Sequence, residues 1–291
     1  MNAIAFDPLS ALNSTHGLSF IFNTSFGVID ESYVDRLELR AAKRALLNLQ
    51  SNGTPTPVPD PSGSVAAEAL DQELNTARIG ALSLRIQLYG QDGQALNNLL
   101  KKETANATQF LTACANNSNG TFRDGHVKII VSGKLTSAMI MPFLAPLLSG
   151  AGIAAPSPTI QEIIEGFFFP SHPEHYQLYL GSITGITETI GGIPTRFYLD
   201  VLPQPPDFVM QYRDLSYTVG IAGRGHLDNG KNTTISWTLQ QFKQANDGID
   251  ISLRVWYPIA CPDNYVHDHL EHLCIEYRNA LHLIAALLGI N

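Results

Sequence analysis

The chain has 291 residues, a formal net charge of −8 and a pI of about 5.5, with 44% hydrophobic and only 15% charged residues. The length suits one large domain or two small ones, and the composition excludes a disordered, solvating chain. The acidic balance disfavours nucleic acid and anionic membrane surfaces as partners, because the densest basic run (Arg36, Arg40, Lys43, Arg44) is interleaved with Asp35 and Glu38.

Residues 1–30 read as irregular, with a short strand at Leu18 to Phe22. A helix is predicted over 31–50, rich in Leu, Ala and Arg with acids toward its start. Ser51 to Ser64, with four prolines and two glycines, reads as a loop. Leu82, Leu84, Ile86 and Leu88 alternate like a strand. The longer run Leu70, Leu74, Ala77, Ala81, Leu84, Leu88 follows helical spacing, which predicts a helix over 65–89. Gly90 and Gly93 bracket a turn, and a second helix follows over 94–115 as an antiparallel neighbour. A strand is predicted at 126–132, a helix interrupted by Pro142 and Pro146 at 135–149, and a short helix at 158–168.

The second half alternates with period two. Phe197, Leu199 and Val201 form one such set. Leu215, Tyr217, Val219 and Ile221 form another, then Ile235, Trp237 and Leu239, then Ile249, Ile251, Leu253 and Val255. Asn229-Gly230 and Asp247-Gly248 favour the positive φ of tight hairpins, so the last three runs predict an antiparallel meander with one polar face. A helix over 263–288 follows, capped by Asp263 and ended by Gly289, with Val266, Leu270, Leu273, Tyr277, Leu281, Ile284 and Leu288 as its core stripe. The expected fold is therefore α+β: an antiparallel β-meander sheet covered by a long C-terminal helix, with a helical N-terminal region. Residues 1–120 form the mainly helical region, packed on the same core, and 121–291 the sheet domain.

No apolar run reaches the ~20 residues of a membrane span; Ala138 to Ala151 is short and holds two prolines. The N-terminus has no basic region leading into an apolar one, so no secretory signal is read there. Seven Asn-X-Ser/Thr sequons, at Asn13, Asn23, Asn52, Asn106, Asn116, Asn119 and Asn232, nevertheless point to a mature secreted glycoprotein whose leader Met1 replaces. The alternative is a cytoplasmic protein rich in Asn and Thr. Cys261 and Cys274 are not expected to pair. On a helix starting near 263 they stand roughly 15 Å apart, beyond the ~7 Å a disulfide spans. Any bridge would use Cys114.

Several catalytic motifs are absent: GxSxG, the P-loop, GxGxxG and HExxH. His172-Pro173-Glu174-His175 is one residue short of the inverted zinc motif HxxEH, and Pro173 disturbs the helix that motif needs. What remains is the run His267-Asp268-His269-Leu270-Glu271-His272, continuing to Glu276 and Asn279. His269, His272, Glu276 and Asn279 fall on one helical face, beside the core stripe. His269 and His272 are the expected ligands of a divalent transition metal, with Glu276 as third ligand or orienter. Without metal the same groups suit acid–base chemistry.

A second group is His172, Glu174, His175 and Tyr176, on a loop entering the sheet; joined to the helix it would build a site of His175, His269, His272 and Glu276. Arg224-Gly225-His226-Leu227-Asp228, directly before the Asn229-Gly230 turn, reads as polar decoration of a hairpin turn. The leading functional expectation is an enzyme acting on a small organic molecule, of hydrolase, lyase or isomerase type. One alternative is a binder of an apolar ligand, with Trp237, Phe242, Trp256 and Tyr257 lining a cavity between sheet and helix. Another is a secreted interaction protein without a pocket. Trp237, Tyr176, Trp256 and Asn279 are the residues expected to contact a small-molecule ligand or substrate.

Overall fold

Period-two alternation becomes a sheet because one set of side chains can be buried while the other stays wet. In strand β3 (Phe122–Ser132), Val127, Ile129 and Val131 are fully buried and their alternates half-buried. In β9 (Gly248–Pro258), Ile249, Ile251, Leu253, Val255 and Tyr257 belong to the same core. The computed structural model describes residues 6–51, 67–90, 93–149, 163–180, 184–227 and 232–290. The other strands are β1 (Ser19–Thr24), β2 (Gly27–Ile29), β4 (His175–Leu180), β5 (Thr184–Ile190), β6 (Ile193–Val201), β7 (Val219–His226) and β8 (Thr234–Ala245). All nine form one antiparallel sheet in the order β2-β1-β3-β9-β8-β7-β6-β5-β4. Strands β4 to β9 are a continuous meander. The N-terminal region adds β1 and β2 beside β3.

The helices are α1 (Pro8–Leu12), α2 (Glu31–Gln50), α3 (Ala67–Tyr89), α4 (Gln94–Asn117), α5 (Ser137–Ser149), α6 (Phe169–Ser171), α7 (Asp207–Met210) and α8 (Asn264–Leu287). A π-helical turn, Ile164–Phe168, leads into α6. Helix α8 lies on the apolar face of the sheet, where Val266, Leu270, Leu273, Tyr277, Leu281 and Ile284 join the main core. A second core forms where α2 and α3 meet α6 and β4; it holds Leu39, Leu74, Ala81, Phe169 and Tyr176. The opposite face of the sheet is polar over β3, β8 and β9, where Lys128 and Lys243 flank Asp250 and Arg254 pairs with Asp124. Next to it, α7 covers an apolar patch of Val209, Ala222, Leu239, Trp237 and Trp256.

Several boundaries differ from expectation, each for a local reason. Strand β7 begins at Val219, because Tyr217 closes a turn onto Asp214 and Leu215 is fully in solvent. Arg224 and His226 lie within β7 and face Asp200, so they are strand residues and not turn decoration. Asp263 does not cap α8; its carboxylate pairs with Arg123 instead. Asp30 does cap α2, accepting the N–H of Tyr33 at 2.9 Å. Gly289 ends α8 in the left-handed region (φ 66°), as its sequence position predicts. Helix α5 runs through both prolines. Residues 65–66, most of the Pro-rich loop, the start of the 158–168 helix and the Asn229-Gly230 turn lie outside the described residues. All three cysteines are free and buried.

Candidate functional site

Strands β4 and β5 place His175 directly opposite Glu188. Cross-strand neighbours share a face, so imidazole and carboxylate meet: His175 Nε2 lies 3.5 Å from Glu188 Oε2. Helix α8 brings His272 over the same spot, with its Nε2 3.0 Å from His175 Nε2 and 3.7 Å from Glu188 Oε2. One turn further along α8, Glu276 Oε1 is 4.0 Å from His175 Nε2. His172, just before β4, stacks on His272 with ring centroids 3.6 Å apart. His172, His175 and His272 together offer ligand atoms within 4.8 Å of one another, and all three are buried.

The segment carrying His172 and His175 is anchored from two helices. Arg85 of α3, fully buried, donates to the carbonyls of His172 (2.7 Å) and His175 (2.9 Å). Arg44 of α2 makes a two-pronged contact with Glu174, with its Nε at 2.6 Å from Oε1. These partners explain why a loop with Pro173 holds two imidazoles in place.

Hydrogen bonds fix the ring protons. His175 Nδ1 lies 2.8 Å from the Phe168 carbonyl, which can only accept, so Nδ1 carries the proton and the Nε2 lone pair faces His272 and Glu188. His172 is the reverse: its Nδ1 accepts the Glu174 N–H at 3.1 Å, so in the neutral ring Nε2 carries the proton. Burial first, then the neighbouring cationic forms, holds His172 and His272 well below the usual imidazole range and His175 at about 3. The rings are therefore neutral at pH 7, the form that ligates metal.

The carboxyls move the other way. Burial, then Glu276 and Glu174, pushes Glu188 well above the usual carboxylate range. Burial lifts Glu276 to about 7, although 32% of its side chain stays accessible. Neither carboxylate has a Lys or Arg partner among the described residues.

The three atoms His175 Nε2, His272 Nε2 and Glu188 Oε2 form a triangle with edges of 3.0, 3.5 and 3.7 Å. A circle through them has a radius of about 2.0 Å. A tetrahedral zinc-like ion at about 2.1 Å from its ligands needs ligand separations near 3.4 Å and the same circle. The donor set, two imidazoles and one carboxylate, is one that divalent transition metals use.

Of the residues expected from sequence, the structure brings together His175, His272 and Glu276. His269 is 5.9 Å from His272 ring to ring, and its Nδ1 is hydrogen-bonded to the Tyr257 hydroxyl at 2.6 Å. It stands outside the group of mutually close ligand atoms, which is His172, His175 and His272, so the structure does not bring the expected His269–His272 pair together. Spacing along one helix sets the height of two side chains but not which of them a sheet residue meets. Asn279 donates to Glu38 at 2.9 Å instead of lining the cluster. Tyr176 reaches Thr189, 3.3 Å away. Trp237 and Trp256 sit on the face away from α8, whereas Phe242 and Tyr257 belong to the α8 core, so these four rings do not line one cavity.

Glu188 is the residue that sequence reasoning missed. Its signal was an acid in register with Ile186 and Ile190, on the apolar side of a strand. A cavity of about 210 Å³ adjoins the cluster, with His172, His272, Arg40, Arg44, Glu174 and Glu271 on its wall.

The fold and the cluster define the class: an α+β protein whose buried histidine cluster has the spacing of a metal site. No protein-family model and no curated protein matches the chain. No helix among the described residues is long and apolar enough to cross a membrane.

Proposed function

We propose that this protein is an enzyme that binds one divalent transition metal on His175, His272 and Glu188 and uses it on a small organic substrate. The observation that carries the reading is the triangle of donor atoms, whose size matches one face of a tetrahedral site. Two further features support it. The histidines are held neutral by burial. A buried carboxyl, Glu188, and a partly accessible one, Glu276, face the same point without a Lys or Arg partner among the described residues, an arrangement that a divalent ion would relieve.

A bound ion would supply Lewis acidity and acidify water, the chemistry of metal-assisted hydrolysis or hydration. The chain's own groups divide the remaining work. His175 is oriented by the Phe168 carbonyl, the outer partner that a ligating imidazole needs. Glu276, lifted to about 7 and partly accessible, is placed to accept a proton and return it. This favours a hydrolase or lyase.

Elemental analysis of protein purified without an affinity tag or chelator tests the reading. About one equivalent of zinc, iron, cobalt or manganese is expected in the wild type and less than a tenth in Glu188→Gln and in His272→Phe. Equal content in all three would overturn it.

A further inference from the structure

Two of the three cysteines meet where the end of α4 faces the turn between β9 and α8. Cys114 stands in the last turn of α4, and its Sγ lies 3.6 Å from the carbonyl oxygen of Ala260, the residue before Cys261. The Cys114 and Cys261 thiols are hydrogen-bonded to each other, and the Tyr265 hydroxyl is within electrostatic reach of both. The backbone on either side is clamped. Ser118 Oγ donates to the Cys114 carbonyl at 2.7 Å and accepts the Ala260 N–H at 2.9 Å, so one hydroxyl ties the two chain segments together. The Ile259 N–H donates to the Thr121 carbonyl at 3.0 Å, and the Cys261 N–H to the Pro258 carbonyl at 2.8 Å. Arg123 donates to the Ile259 carbonyl at 3.1 Å and pairs with Asp263. Cys274 differs. It is fully buried on α8, and the ionisable groups around it are Glu271 and Arg278 of the same helix, not a thiol.

We propose that Cys114 and Cys261 are a disulfide-forming pair, joined by exchange with a small disulfide of the glutathione class, and that Cys274 stays a thiol. A disulfide needs two sulfurs brought together with little backbone movement, and the Ser118 clamp supplies that. The exchange has two steps. One protein thiolate attacks a sulfur of glutathione disulfide: a mixed disulfide forms, the glutathione S–S bond breaks and one glutathione thiolate leaves. The second protein thiolate attacks the protein sulfur of the mixed disulfide, and the other glutathione thiolate leaves. The two thiol protons end on the two glutathiones, and two electrons pass from the protein to glutathione. Both cysteines are buried in the folded chain, so the bond closes during folding, before the turn at 259–263 covers them. Burial, then Cys114, lifts the Cys261 thiol to about 12, which makes it a poor leaving group and the closed bond slow to reduce. The bridge staples α4 to the start of α8, the helix that carries His272, and closes a long loop of the unfolded chain. An oxidising compartment is also the one in which the seven sequons would be used.

The test is refolding of the reduced full chain from urea in a buffer of reduced and oxidised glutathione. Thiols are then counted after denaturation, and unreduced peptides are mapped by mass. Expression in an oxidising bacterial periplasm gives the same readout without a refolding step. The wild type is expected to fall from three thiols to one, lose the mass of two hydrogens and yield a Cys114–Cys261 peptide pair. Cys274→Ala should fall from two thiols to none. Cys114→Ala and Cys261→Ala should form no internal bridge. The oxidised wild type should melt at least about 5 °C above its reduced form, a difference that the double variant Cys114→Ala/Cys261→Ala lacks. Three thiols remaining in the wild type by both routes, or a linkage through Cys274, would overturn the proposal. So would a melting temperature that oxidation leaves unchanged or lowers.

Discussion

Glu38 of α2 is 1% exposed and accepts four hydrogen bonds: from Arg78 Nε (2.7 Å) and Nη2 (2.5 Å), Arg278 Nη2 (2.5 Å) and Asn279 Nδ2 (2.9 Å). Burial alone would raise its carboxyl; Arg78 and then Arg278 outweigh that and hold it below the usual range. This one carboxylate ties α2 to α3 and to α8, the helix that carries His272 and Glu276. Glu38→Gln keeps the shape, removes the charge and turns an N–H₂ toward a guanidinium. Removing one member of a buried ion pair costs about 3–5 kcal/mol. Against a total stability of about 5–15 kcal/mol that is a large share. Urea denaturation followed by circular dichroism should show this loss as a lower midpoint with an unchanged slope. The triple variant Glu38→Leu/Arg78→Met/Arg278→Met should recover most of it, because apolar packing replaces a desolvated network. A Glu38→Gln cost under about 1 kcal/mol, or a triple variant less stable than the single, would refute the reasoning.

His282 is buried near Arg278 and His16, and burial, then Arg278, lowers it to about 3. Its folded value lies below the ordinary 6.5, so its contribution is fully present above pH 6.5 and is lost as pH falls toward 3. His282→Phe should gain about 2–3 kcal/mol on the wild type between pH 7 and pH 4.5; denaturation midpoints that move in parallel would contradict this. Gly191 turns β5 into β6 with φ of 58°, and a Cβ there would come within 2.3 Å of the Tyr265 ring. Gly191→Ala should therefore cost at least about 2 kcal/mol, read as a fall in melting temperature; an unchanged value would mean that Tyr265 yields freely. Among the six described sequon asparagines, Asn13, Asn106, Asn116, Asn119 and Asn232 are exposed. Expression through a eukaryotic secretory route should add several N-glycans, seen as a mass loss on glycosidase treatment; a glycan-free secreted product would count against the secreted reading.

The sheet was legible where alternation and turn chemistry agreed. Strands β8 and β9 and helix α8 follow directly from Ile235 to Val255 and from the stripe Val266 to Ile284, because each periodicity encodes one buried face. Strand pairing at a distance was not legible. Nothing local in Ser19–Thr24 says that it adds to β3, because the pairing of a short strand is fixed by its neighbours and not by its own residues. The same limit explains the site. His272 and Glu276 could be grouped from helical spacing, and His175 could be proposed beside them. Glu188 entered only through the β4–β5 register, a tertiary fact. The preference for His269 failed to foresee the Tyr257 hydroxyl, which lies on β9 and takes up its Nδ1.

The most direct test of the central claim is an anomalous difference map from a crystal of the protein soaked in zinc, collected on both sides of the zinc absorption edge. The account predicts one strong buried peak about 2.0–2.2 Å from His175 Nε2, His272 Nε2 and Glu188, with His172 outside the ligand set and still accepting from the Glu174 N–H. A peak ligated by His172 in place of Glu188, or no buried peak at saturating zinc, would contradict it.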